Sequence, residues 1–212
     1  VQTTNIKRFS MIDYIQGQYS PIILIGMSRH ILLNEVDNKQ LEEDVLKERN
    51  VKMNFNSNSS SIEDSFLPKT PAVKCLLEKV DNIIKPINKY LIMGDDAWAH
   101  IIYPGQSTMF HTHQDPGPPG LSFVYWVNFP ENSGNFIGII QVDKYRHFHE
   151  VVPKAGDLIL FPTYLPHTTS RNCSEQTRIS ISGNYYPPLD KLDAVQKESG
   201  GLFTYVGRIK DR

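Results

Sequence analysis

Trp98-Ala-His-Ile-Ile-Tyr-Pro-Gly-Gln-Ser-Thr-Met-Phe-His-Thr-His-Gln-Asp115 is the stretch where the character of the chain changes. Upstream, apolar residues recur at helical spacing. From Trp98 onward, short runs rich in β-branched and aromatic residues alternate with Gly, Pro and Asn turns. The pattern predicts strands at 98–103, 108–114, 121–129, 135–142, 147–153, 157–162, 166–172 and 177–186. Eight short strands at this spacing indicate a sandwich or barrel. Eight is also the strand count of a jelly roll, whose two sheets enclose a pocket at one end.

Working outward, the segment before Trp98 supplies supporting structure. Ala72, Val73, Leu76, Leu77, Val80, Ile83, Ile84 and Ile87 recur at helical spacing, with Thr70-Pro71 as cap and first-turn proline and Pro86 as the stop. Residues 37–50, with Val36, Leu41 and Val45, predict a short surface helix, and Pro21–Met27 a buried strand. Residues 54–65 are dominated by Ser and Asn and predict a mobile loop. The expected organisation is one domain over 1–212. A mixed helical support region covers 1–97, a β core 98–187 and a C-terminal extension 188–212.

Composition narrows the class. Apolar residues are 40% and charged residues 21% of 212, the balance of a folded globular chain. A net charge of -1 gives no reason to expect nucleic acid or an anionic membrane as partner. No apolar run approaches the roughly 20 residues of a spanning helix. The N-terminus shows no charged segment followed by an apolar one, so a cytoplasmic location is expected, or the host cytoplasm if the source is viral. With only Cys75 and Cys173 and no CxxC pair, thiolate zinc sites are excluded. Metal chemistry must draw on the seven histidines and on carboxylates.

His113 and Asp115 are two residues apart, so on a strand they share a face. His167, in Pro166-His-Thr-Thr-Ser170, follows the turn and apolar run Gly156-Asp-Leu-Ile-Leu-Phe-Pro162, which brings it back toward the same pocket. Two histidines and a carboxylate on one face of an octahedron leave three positions open, the arrangement suited to non-haem Fe(II). Eleven residues further on, Arg178, Ser180 and Ser182 alternate with Ile179 and Ile181. A fixed guanidinium beside a serine hydroxyl is a partner for a carboxylate in a dry pocket.

At these residues the sequence resembles the iron(II)- and 2-oxoglutarate-dependent dioxygenases. It looks closest to the prolyl-hydroxylase-like branch and to bacterial and phage members. The resemblance spans about 98–187 and rests on Tyr103-Pro-Gly, His113-Gln-Asp115, Tyr125-Trp-Val-Asn128, Ser133-Gly134, Gly156–Pro162, His167 and Arg178-Ile-Ser180. It implies a mainly β fold with supporting helices, a double-stranded β-helix of the cupin-like jelly-roll type. It implies iron on His113, Asp115 and His167, and the distal carboxylate of 2-oxoglutarate on Arg178 with Ser180 as helper. Tyr103 would hydrogen-bond the cosubstrate, and Trp126 and Asn128 would stand near the pocket. Trp126 replaces a tyrosine common in the family, and an indole donates but does not accept. The implied reaction hydroxylates a C–H bond of a peptidyl residue or small molecule, using O2 and releasing succinate and CO2.

His111 shares the face of His113, and three roles are open to it: a group behind the ligands, a substrate contact, or a ligand in place of Asp115. A pocket role is expected. His147 and His149 read as solvated, His30 and His100 carry no signal, and Cys75 reads as buried on the helix face. Residues 54–65 and 116–120 are candidate lids. Two other functions compete: a cupin-like metalloenzyme without 2-oxoglutarate, and a non-catalytic jelly-roll binding module.

Overall fold

The computed structural model describes residues 27–47, 63–113, 120–142 and 145–188. The predicted strand at 21–27 (Met27 excepted), the loop at 54–62, Asp115, residues 116–119 and the extension beyond Pro188 lie outside them.

The elements are β1 (Ser28–Ile31), α1 (Asn38–Lys47), β2 (Glu63–Phe66), α2 (Pro71–Ile84), β3 (Ile92–Ile102), β4 (Leu121–Asn128), β5 (Phe136–Val142), β6 (Tyr145–Val151), β7 (Asp157–Pro162), β8 (His167–Thr169) and β9 (Arg178–Tyr186). They form a six-stranded sheet in the order β1-β7-β4-β9-β3-β2 and a three-stranded sheet in the order β6-β5-β8. Every pairing between these strands is antiparallel. This is the expected jelly-roll architecture, with two helices among the described residues.

The large sheet is covered on both faces, and the period of two decides which side chain meets which layer. On one face Phe123, Tyr125, Leu158, Leu160, Ile179 and Ile181 pack against Leu41, Val45, Leu76, Val80 and Ile84 of the helices. On the other, Val124, Trp126, Ile159 and Phe161 meet Phe136 of the small sheet and Leu165. Burial on both sides explains why β4 and β7 read as nearly unbroken apolar runs.

Local chemistry sets the helix ends. Thr70 Oγ1 accepts from the Val73 amide at 3.3 Å, Pro71 fills the first position, and α2 ends two residues before Pro86. Asp37 Oδ1 accepts from the Gln40 amide at 3.0 Å at the start of α1. Polar clasps then hold helices to sheet: Tyr125 Oη donates to Asn38 Oδ1, Asn128 Nδ2 to Glu42 at 2.8 Å, and Tyr185 Oη to Asp81 at 2.6 Å. Among the described residues, no helix is long and apolar enough to cross a membrane.

Several expectations change. Residues 108–113 are not a strand. The segment touches the small sheet through a single bridge, His111 to His167, and Thr108 bonds to the Thr169 hydroxyl where a ladder would use backbone. The predicted loop ends early, because Glu63–Phe66 pair with Trp98–Ile101 as β2. β1 and β2 therefore join the large sheet from within the support region. Ile87 lies past the helix end and is exposed, and Cys75 is only half-buried.

Candidate active site

The pocket opens between the two sheets. Its wall is the inward face of β3, β4 and β9: His100, Val124, Trp126, Ser180 and Ser182. Phe136, His167 and Thr169 close it from the small-sheet side, and Thr108, His111 and His113 from the connecting segment. The space is about 360 Å³ with its mouth included. The alternation inferred for Arg178, Ser180 and Ser182 holds, and both serines are buried and line the pocket.

Three imidazoles converge at the mouth. One ring nitrogen from each of His111, His113 and His167 lies within 4.8 Å of the others. Each ring is anchored through Nδ1. His113 Nδ1–H donates to Asn184 Oδ1 at 2.7 Å, with Ser122 Oγ 3.1 Å away. His167 donates to the Leu165 carbonyl at 2.8 Å, and His111 to the Met109 carbonyl at 2.7 Å. A proton fixed on Nδ1 leaves the Nε2 lone pair for a metal, the usual way an outer partner orients a ligating histidine. The donor set therefore fits a divalent cation that accepts imidazole. Burial lowers the His167 pKa to about 3, aided by the neighbouring His111 and His113, so the ring is a neutral donor at ordinary pH.

Arg178 is 1% exposed. Nη1 donates to the Ser133 and Gly134 carbonyls at 2.8 and 3.0 Å, and Nη2 to Thr169 Oγ1 at 2.9 Å. Nε has no partner among the described residues. Burial lowers its pKa to about 10, which leaves it charged at neutral pH. No carboxylate among the described residues pairs with it. A buried cation satisfied by neutral oxygens alone is electrostatically suited to an anion brought from outside. Gly134 makes that cradle possible: its φ is +94°, and a Cβ there would come within 2.2 Å of the Ser170 carbonyl oxygen.

The structure thus brings together His111, His113, His167, Trp126 and Ser180, with Arg178 directly behind Thr169. Asp115 lies outside the described residues. Tyr103 is not in the lining and packs against the helix-side core instead. Asn128 is not in it either; its Oδ1 accepts from the Ile179 amide at 2.7 Å while its Nδ2 holds Glu42, so it is a clasp between α1 and the sheet. His147 and His149 are exposed on β6. Sequence reasoning missed His100, which lines the pocket and accepts from Trp98 Nε1 at 2.7 Å. Its signal was the alternation of Trp98 and His100 against Ala99 and Ile101.

Residues 96–184 match the model of a family described as "Putative 2OG-Fe(II) oxygenase". No curated protein sequence matches the chain. Among solved structures, a Pseudomonas putida prolyl-4-hydroxylase superposes with a TM-score of 0.59 at 19% identity, covering 77% of this chain and 94% of that one. A Trichoplax adhaerens prolyl hydroxylase, in complex with a hypoxia inducible factor oxygen degradation domain peptide fragment, gives 0.59 at 15% identity, covering 82% and 86%. The non-heme alpha ketoglutarate dependent epimerase SnoN from nogalamycin biosynthesis gives 0.63 at 13% identity, covering 77% and 78%. These are likenesses of fold.

Proposed function

We propose that the chain, a member of the 2OG-Fe(II) oxygenase family over residues 96–184, hydroxylates a C–H bond of a peptidyl residue or small molecule, with His113, Asp115 and His167 as its iron ligands. Arg178, helped by Ser180, binds the distal carboxylate of 2-oxoglutarate. The observation that carries this reading is the pairing of anchored imidazoles with a buried guanidinium behind Thr169 that no carboxylate among the described residues pairs with. The same guanidinium argues against a cupin-like centre without 2-oxoglutarate, which has no use for it.

When bound, iron and 2-oxoglutarate supply the oxidising chemistry, in which O2 hydroxylates the substrate while 2-oxoglutarate becomes succinate and CO2. The chain's own share is placement. Asn184 and Leu165 O hold the His113 and His167 protons on Nδ1, so each ring offers Nε2 inward. Arg178 orients a dicarboxylate by neutralising one end, in a setting where a charge-assisted bond is strong. Trp126, Phe136, Val124 and Phe161 exclude water from the reacting atoms. Met109 and Phe110, both exposed, immediately precede His111 in the chain and offer apolar surface to a substrate.

The test is iron-dependent succinate production, screened against proline-containing peptides and a panel of small metabolites. Turnover is expected with the wild-type protein, and His113→Ala and His167→Ala are expected to bind no iron. Iron binding at wild-type affinity in either variant would remove that residue from the ligand set.

A further inference from the structure

We infer that Thr108 is a further binding residue for 2-oxoglutarate, its hydroxyl donating to the distal carboxylate that Arg178 attracts. The inference rests on the cosubstrate reading above and adds a donor that the Arg178-Ile-Ser180 pattern does not contain.

Position comes first. Arg178 is 1% exposed and stands behind Thr169. Thr108, Thr169 and Ser180 line the pocket, so an anion attracted by the guanidinium meets hydroxyls. Thr169 is two residues from His167 on β8, so the two side chains share a face about 6.6 Å apart along the strand. A five-carbon dicarboxylate with one end at His167 therefore has its other end beside Thr169 and Thr108.

The backbone holds Thr108 in place. Its amide donates to Thr169 Oγ1 at 3.0 Å, and its carbonyl accepts from Thr168 Oγ1 at 2.7 Å. The chain just before it is tied down as well. The Asn172 amide donates to the Gln106 carbonyl and the Gly105 amide to the Asn172 carbonyl, both at 2.7 Å.

Proton counting then gives the direction of the hydroxyl. Thr169 Oγ1 has three neighbours: the Thr108 amide at 3.0 Å, Arg178 Nη2 at 2.9 Å and Thr108 Oγ1 at 3.0 Å. Amide and guanidinium can only donate, and a hydroxyl oxygen has two lone pairs, so these two donors fill it. The Thr169 proton therefore goes to the third neighbour, Thr108 Oγ1. The Thr108 hydroxyl makes no other bond among the described residues, so its own proton turns toward the pocket that it lines. The chain from Arg178 through Thr169 to Thr108 runs in one sense from a cation, which polarises its last hydroxyl as a donor. A carboxylate is the acceptor that completes it.

Binding measured without turnover tests this. Wild type, Thr108→Val, Thr108→Ala and Thr108→Ser are loaded with redox-silent Mn(II) and titrated calorimetrically with 2-oxoglutarate. Each is also titrated with 2-oxopentanoate, which lacks the distal carboxylate. Circular dichroism verifies the fold, and alanine replaces valine should the added methyl disturb the pocket. The expected result is 2-oxoglutarate binding weakened about 10- to 100-fold in Thr108→Val and Thr108→Ala. Thr108→Ser should restore it, while Mn(II) and 2-oxopentanoate affinities stay at the wild-type level. Unchanged 2-oxoglutarate affinity without the hydroxyl, or an equal loss for both oxoacids, overturns the inference and leaves the cosubstrate reading standing. No 2-oxoglutarate binding by Mn(II)-loaded wild type overturns both.

Discussion

At the scale of single residues, the buried groups without ordinary partners say most. Arg178 carries a charge into an interior where, among the described residues, it bonds to two carbonyl oxygens and a hydroxyl. Its removal should weaken 2-oxoglutarate far more than iron. Arg178→Ala is expected to raise the KM for 2-oxoglutarate about 100-fold, the roughly 3 kcal/mol of a charge-assisted pair, with iron affinity unchanged. An unchanged KM would assign Arg178 to structure alone. His167 makes a different prediction. Its folded pKa of about 3 lies below the unfolded value of 6.5. Between those values the unfolded chain binds more protons, so this contribution is complete above about pH 6.5 and is lost as pH falls toward 3. Denaturant unfolding of chelator-treated protein should show about 2 kcal/mol lost between pH 7 and pH 5 in wild type beyond the loss in His167→Gln. Equal losses would contradict the buried neutral ring. That Ser180 faces the pocket and that His167 returns to it was legible, because alternation along β9 and recurrence after a turn are written in sequence, whereas His113 reaches the pocket although its segment is not a strand. The closeness of His111 to His167 was not, since it depends on which residues of two distant segments face each other.

At the scale of elements, the strands most deeply buried were the easiest to read. β7 was anticipated residue for residue at 157–162, and β4 to within one residue, because burial on both faces forces continuous apolar sequence. The edge strands β1, Ser-Arg-His-Ile, and β2, Glu-Asp-Ser-Phe, went unseen because an edge needs backbone partners more than apolar side chains. The segment 108–113 misled in the opposite sense. Its composition is strand-like, but side-chain hydroxyls of Thr108, Thr168 and Thr169 take over bonds that a ladder would make. The turn before β5 ties element to site, since Ser133 and Gly134 present the carbonyls that hold Arg178. Gly134→Ala should destabilise the fold by about 2 kcal/mol or more, from positive φ and the clash with Ser170, and weaken 2-oxoglutarate binding as the cradle shifts. Wild-type stability with wild-type KM would show that the cradle tolerates a side chain.

At the scale of the whole molecule, three layers divide the work. Helices cover one face of the large sheet, which frees the other face to be a pocket wall of mixed chemistry. The strand period then assigns alternate residues to stability and to function: Ile179 and Ile181 to the helix-side core, Arg178, Ser180 and Ser182 to the pocket side. That division explains why the class of fold and the donor types were readable in advance while substrate selection was not. Exposed residues such as Met109 and Phe110 have no periodic constraint to read. The most direct test of the central claim is anaerobic mixing of the protein with Fe(II) and 2-oxoglutarate, followed by visible absorption. A metal-to-ligand charge-transfer band that saturates with 2-oxoglutarate in wild type, and needs far more of it in Arg178→Ala, is the predicted result. Iron binding without such a band at any 2-oxoglutarate concentration would contradict the account.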